Sequence, residues 1–125
     1  MNKKALFRAD ALLLTVFSLL FSGLASAHAH LKTQRPADNA QLTSSPTALT
    51  LTFSEEIEPA FSGVELLNEQ HQPLALKKAA VNPQQRAQLI VPLSQSLSAG
   101  EYQVKWHVLS VDGHKTQGSY RFRVK

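Results

Sequence analysis

Apolar and polar residues take turns along most of this chain, at a spacing of two rather than the three to four of a helix. Ala48 to Phe53 (ALTLTF) puts Leu49, Leu51 and Phe53 on one side and Thr50 and Thr52 on the other. Glu101 to Ser110, the longest such run, carries Tyr102, Val104, Trp106 and Val108 on one face. Thr116 to Val124 repeats the pattern with Tyr120, Phe122 and Val124. Strict alternation over this length is the signature of a half-buried strand. Shorter strands are predicted at His28–Gln34, Ser62–Leu67, Leu74–Lys77 and Arg86–Pro92. No segment holds helical periodicity over three turns.

Turn-forming residues separate these runs: Pro36-Ala37-Asp38-Asn39, the interruption Ser54-Glu55-Glu56-Ile57-Glu58-Pro59, Asn68 to Pro73, the polar stretch Lys78 to Gln85, and Ser94 to Gly100. Seven short strands with regular turns predict an all-β fold. The expected architecture is a seven-stranded Greek-key β-sandwich of immunoglobulin-like type. The two C-terminal strands are the richest in aromatics and are expected to run antiparallel through the core, holding the loop that contains Asp112 and His114.

One stretch breaks the pattern. Ala11 to Leu24 is apolar throughout, follows a basic segment with Lys3, Lys4 and Arg8, and leads to Ala25-Ser26-Ala27. These are the three parts of a secretory signal, and fourteen apolar residues are too few for an ordinary membrane span. Cleavage after Ala27 is expected, making residues 1–27 a signal peptide and residues 28–125 the mature domain. Nothing else is apolar enough to cross a bilayer, so the mature chain is expected to be exported without membrane insertion. The formal charge of +4 then changes meaning. Residues 1–27 hold three of the thirteen basic groups and one of the nine acidic ones, leaving ten against eight. A surface of +2 is no nucleic-acid footprint. The absence of cysteine excludes disulfides, thiolate metal sites and lipid attachment at a cleavage-site cysteine.

Cleavage after Ala27 also creates chemistry. His28 becomes the first residue, and its α-amine and Nδ1 together form a bidentate nitrogen chelator. All five histidines (28, 30, 71, 107 and 114) lie in the mature chain. Asp112-Gly113-His114 adds a carboxylate and an imidazole two residues apart. Three nitrogens and one carboxylate oxygen suit Cu(II), which favours tetragonal N,O sets. The alternative for Asp112-Gly113-His114 is an ordinary hairpin turn, since Asp-Gly is a common turn pair. A rival metal site is the tripeptide His28-Ala29-His30, whose amine, two backbone amides and third-position imidazole can wrap Cu(II) or Ni(II) without any fold. His71 reads as a solvated turn residue, His107 as a strand residue opposite Trp106, and Trp106 as part of the core stripe. Glu55 is a candidate acceptor for a ligand imidazole, or else a solvated member of its acidic run.

These pieces resemble the CopC family of periplasmic copper-binding proteins, and within it the YobA-like members. The resemblance rests on Ala-Ser-Ala before His28-Ala29-His30-Leu31, on Arg35-Pro36-Ala37-Asp38-Asn39, and on Leu51-Thr52-Phe53-Ser54-Glu55. Gly100-Glu101-Tyr102-Gln103-Val104-Lys105-Trp106, Ser110-Val111-Asp112-Gly113-His114 and Gly118-Ser119-Tyr120-Arg121-Phe122-Arg123-Val124 complete it. It spans essentially the whole mature chain. It implies Cu(II) ligation by His28 (amine and Nδ1), Asp112 and His114, and a cupredoxin-like or immunoglobulin-like sandwich. It further implies a periplasmic location, an inner-membrane copper transporter as partner, and a copper-sequestering or copper-delivering role without enzymic turnover. Some members carry a methionine cluster for Cu(I). Here the corresponding region, about Asn68 to Lys78, has none, and Met1 is the sole methionine. Two other functions stay open on the residues: a copper-dependent oxidative enzyme built on an N-terminal histidine, and an immunoglobulin-like interaction module.

Overall fold

A computed structural model describes residues 28–125. The proposed signal peptide therefore lies outside the described residues. The strands are β1 (Leu31–Arg35), β2 (Ala40–Leu42), β3 (Ala48–Phe53), β4 (Gly63–Leu67), β5 (Pro73–Leu74), β6 (Ala80–Asn82), β7 (Gln85–Pro92), β8 (Gly100–Leu109) and β9 (Lys115–Val124). A single 3-10 turn, Pro59–Phe61, separates β3 from β4.

They form two sheets, one ordered β1-β3-β7-β6 and the other β2-β9-β8-β4-β5. Three neighbouring pairs are hairpins (β4-β5, β6-β7 and β8-β9), while β1-β3, β3-β7, β2-β9 and β8-β4 join strands that are not consecutive, because the chain repeatedly changes sheet, as in a Greek-key sandwich. The all-β, two-sheet architecture is present with six of the seven expected strands near their expected bounds; the seventh, expected over Leu74–Lys77, is reduced to the two-residue β5, with Leu76 making only an isolated bridge to Leu93. Two strands of three residues each, β2 and β6, are added. β6 sits in the polar stretch read from sequence as loop. β2 pairs in parallel with β9, Ala40 opposite Phe122.

The core is what the alternation predicts. Leu49, Leu51 and Phe53 of β3 and Leu89 and Val91 of β7 face Tyr102, Val104 and Val108 of β8 and Tyr120, Phe122 and Val124 of β9. Registry explains how one large residue is accommodated. Along the β8–β9 pair, Tyr102 opposes Phe122, Val104 opposes Tyr120, and Trp106 opposes Gly118. A Cβ on Gly118 would lie 2.5 Å from Trp106 Cζ2, so glycine is needed there for space. The indole packs edge-to-face on Phe53, ring centroids 5.2 Å apart, and closes the core while staying partly exposed.

The ten-residue β8–β9 hairpin is the longest pairing in the molecule. Its loop, Ser110–His114, is thereby fixed to two strands that contribute six buried side chains to the core. β1 pairs with the outer edge of β3, which brings the residues preceding β1 to the same end.

Candidate metal centre

Ser110 begins the loop and is 1% exposed. A buried hydroxyl needs partners, and it finds them locally. It donates to the Asp112 carboxylate and accepts the His114 N–H at 3.3 Å. The Ser110 N–H donates to the His114 carbonyl at 2.9 Å, and the Gly113 N–H donates to the Ser110 carbonyl at 2.9 Å. Gly113 sits at φ +93 with open space around it; its backbone angle, not crowding, calls for glycine. The base of the loop is also joined to the chain before the 3-10 turn. Val111 N–H donates to Glu56 O at 3.1 Å and Glu58 N–H to Leu109 O at 2.8 Å.

This wiring aims two side chains outward. Asp112 Oδ1 lies 3.1 Å from His114 Nδ1. With Nδ1 engaged, Nε2 of His114 is the nitrogen left to accept a metal. The Ser110 hydroxyl, aided by His114, holds the Asp112 carboxyl below its ordinary range, so the group is an anion across neutral pH.

The other arm is the segment His28–His30. Ala29 is 1% exposed and part of the core, and its carbonyl accepts Thr116 Oγ1 at 3.0 Å. Ser54, at the end of β3, grips both sides of Ala29. Its Oγ accepts the His30 N–H at 2.8 Å and donates to the His28 carbonyl at 3.3 Å, while its own N–H donates to the His30 carbonyl at 2.8 Å. Just beyond, the β1–β3 register slips between Leu31 and Thr33, leaving Lys32 as an extra residue; such bulges re-aim a strand end.

The result is that the imidazoles of His28 and His114 meet edge-to-face, centroids 4.7 Å apart. The structure thus brings His28 beside His114 and Asp112, which lie 86 and 84 positions from it in sequence. All three are exposed to solvent. As they stand they form a row rather than a closed cage: among the described residues, no three His, Asp or Glu side chains already surround one ion. A free amine on residue 28 would add a donor that is not a side chain, and nitrogen and carboxylate donors of this kind are the ones that tetragonal Cu(II) accepts.

The remaining candidates lie apart from this cluster. His30 is exposed and engaged only through its backbone. His107 is exposed on the outer face of β8 beside Gly63, lining a cleft of about 510 Å3 with Phe61, Lys115 and Thr116. His71, at φ 58, is held in a turn whose amides bond to Asn68, near the Gly100 end of β8. Glu55 is half-buried and has no hydrogen bond to an imidazole among the described residues. Three hydroxyls shape the site without being expected ligands: Ser54 and Ser110 stand within the motifs that carry the family resemblance, and Thr116 opens an alternating run, but nothing in the sequence assigns any of them a role at the site.

Comparison with known proteins agrees on the family. The sequence model described as "CopC domain" matches residues 31–125, which include Asp112 and His114. Protein YobA of Escherichia coli K12 is 52% identical over 99 residues, covering 79% of this chain and 80% of that one. Among solved structures, CopC from Methylosinus trichosporium OB3b superposes with a TM-score of 0.74 at 30% identity, covering 78% of this chain and 94% of that one. PcoC, a methionine-rich copper resistance protein from Escherichia coli, superposes with a TM-score of 0.70 at 32% identity, covering 79% and 100%.

Proposed function

The chain belongs to the CopC domain family, and from that premise we propose that it is a periplasmic Cu(II)-binding protein that sequesters copper or hands it to a partner, without enzymic turnover. The relatives' copper association supports the metal, and one observation carries its placement: the His28 and His114 rings in contact beside the Asp112 carboxylate. Processing after Ala27 gives residue 28 its α-amine. The ligands are then that amine, His28 Nδ1, His114 and Asp112. An inner-membrane copper transporter is the proposed acceptor or donor.

The donor set also sets the oxidation state. Nitrogen and carboxylate oxygen favour Cu(II), while soft Cu(I) prefers sulfur. PcoC is described as methionine-rich; residues 28–125 of this chain contain no methionine or cysteine. Reduction therefore loosens the metal and is the proposed release step. Acid loosens it as well, because imidazole and amine must give up protons to bind.

The test is a Cu(II) titration, followed by electron paramagnetic resonance, on the chain cut after Ala27 and on the same chain with one extra residue before His28. The reading requires tight one-to-one binding in the first and far weaker binding in the second. Equal affinity removes the amine from the site. Damage from His30→Ala with silence from His114→Ala assigns the metal to the tripeptide instead. Anaerobic reduction of the one-to-one complex in the presence of a Cu(I) chelator of moderate strength should strip the copper.

A further inference from the structure

The tripeptide His28-Ala29-His30 is a ready Ni(II) chelate in any unfolded chain that starts at His28, and the fold takes hold of the atoms that chelate needs. We propose that Ser54, acting with Thr116, is a specificity-determining residue: it withholds the Ala29 and His30 amides from the local chelate, so that the folded chain rejects Ni(II). This rests on the Cu(II) reading above.

The tripeptide chelate needs the residue-28 amine, the Ala29 and His30 amide nitrogens with their protons displaced by the metal, and the His30 imidazole, all in one plane. The peptide between His28 and Ala29 is pinned at its carbonyl by the Ser54 hydroxyl at 3.3 Å. The peptide between Ala29 and His30 is pinned at both ends, its N–H on Ser54 Oγ at 2.8 Å and its carbonyl on Thr116 Oγ1 at 3.0 Å. A serine hydroxyl has one donor and two acceptor positions, so Ser54 does both jobs at once. Turning both amide nitrogens toward a common ion would break these three bonds and withdraw Ala29, 1% exposed, from the core. What remains is a centre without amide donors. On such a site Cu(II) outranks Ni(II) in intrinsic affinity, whereas a square-planar nitrogen set accepts either.

The experiment measures Ni(II) affinity, and the visible absorption of square-planar Ni(II), on the chain cut after Ala27. A peptide of residues 28–34 serves as the unclamped reference. The folded chain is expected to bind Ni(II) about a hundredfold more weakly than the peptide and to lack the square-planar band, each lost hydrogen bond being worth up to about tenfold. Ser54→Ala should recover about tenfold of that, and Ser54→Ala with Thr116→Val more. Adding His30→Ala to the double variant should abolish the gain. Ser54→Thr, which keeps the hydroxyl, should still exclude Ni(II), which separates the clamp from mere disturbance of the fold. Equal Ni(II) affinity in folded chain and peptide overturns the proposal, as does an unchanged affinity in both Ser54→Ala and the double variant. The Cu(II) reading fails on a different result: an unaltered Cu(II) affinity in His114→Ala.

Discussion

The bonds that aim Asp112 and His114 begin and end within five residues of the chain, from Ser110 to His114. Those that aim His28 reach Ser54, 24 and 26 residues from their partners, and Thr116, 87 residues from Ala29. The loop arm therefore needs little more than the β8–β9 hairpin, since local contacts carry little loop-closure cost. The N-terminal arm needs both sheets, because Ser54 ends a strand of one and Thr116 belongs to a strand of the other. A centre made from both arms is complete only in a fully folded chain, and in a chain cut after Ala27 its weaker half would be the terminus, where fraying concentrates.

Removing one arm at a time gives the largest effect. On the chain cut after Ala27, His114→Ala and a one-residue extension before His28 should each lower Cu(II) affinity by at least about a hundredfold, more than the loss typical of outer-shell changes. A competition titration checks this, and a large loss in only one of the two would mean that a single arm holds the metal.

Loosening the arms separately should be milder. Thr116→Val strips the Ala29 carbonyl of its donor and is expected to cost about 1 kcal/mol in urea unfolding. It should also speed hydrogen exchange at the His30 amide while leaving the Gly113 amide alone. Gly113→Ala forces a side chain onto φ +93, at a cost of about 1 kcal/mol, and should disturb Asp112 and His114 without touching His30. Identical exchange patterns in the two variants would erase the distinction between the arms.

Ser110→Ala sharpens the loop half alone. Asp112 titrates below the ordinary carboxylate value of 3.8 chiefly because of the Ser110 hydroxyl. A depressed carboxyl contributes stability that is present above that ordinary value and lost as pH falls through the lowered one. The variant should move the Asp112 titration upward toward 3.8, read by carboxyl-carbon NMR of the metal-free protein; an unmoved midpoint would assign the shift to His114 instead. The smallest effect is expected from His30→Ala: the side chain is exposed, so Cu(II) affinity should change by about twofold or less.

The same contrast decides what the amino-acid sequence reveals. The alternation of Leu49, Leu51 and Phe53 and the stripe from Tyr102 to Val108 disclose their strands because each pattern is complete within one element. The Asp112-Gly113-His114 spacing is visible for the same reason. β2 is not: three residues long, it exists because Ala40 meets Phe122, 82 positions further along the chain. β6 is likewise three residues, and its polarity hides its pairing with β7. Ser54 and Thr116 are ordinary strand-end hydroxyls until the fold brings Ala29 between them. His28 could be singled out by its place after Ala27, but the contact of its ring with His114 depends on that non-local clamp.

Trp106 gives these ideas an optical handle. It is the chain's one tryptophan, and Gly118 leaves room for its indole to rest on Phe53, the residue immediately before Ser54. Its emission colour reports whether the strand end that carries the clamp is packed or adrift. A bound paramagnetic ion at the same end of the sandwich would dim it. Loading, release and fraying can thus be followed as brightness and hue in the unlabelled protein, with no dye attached to the amine that the proposed site requires.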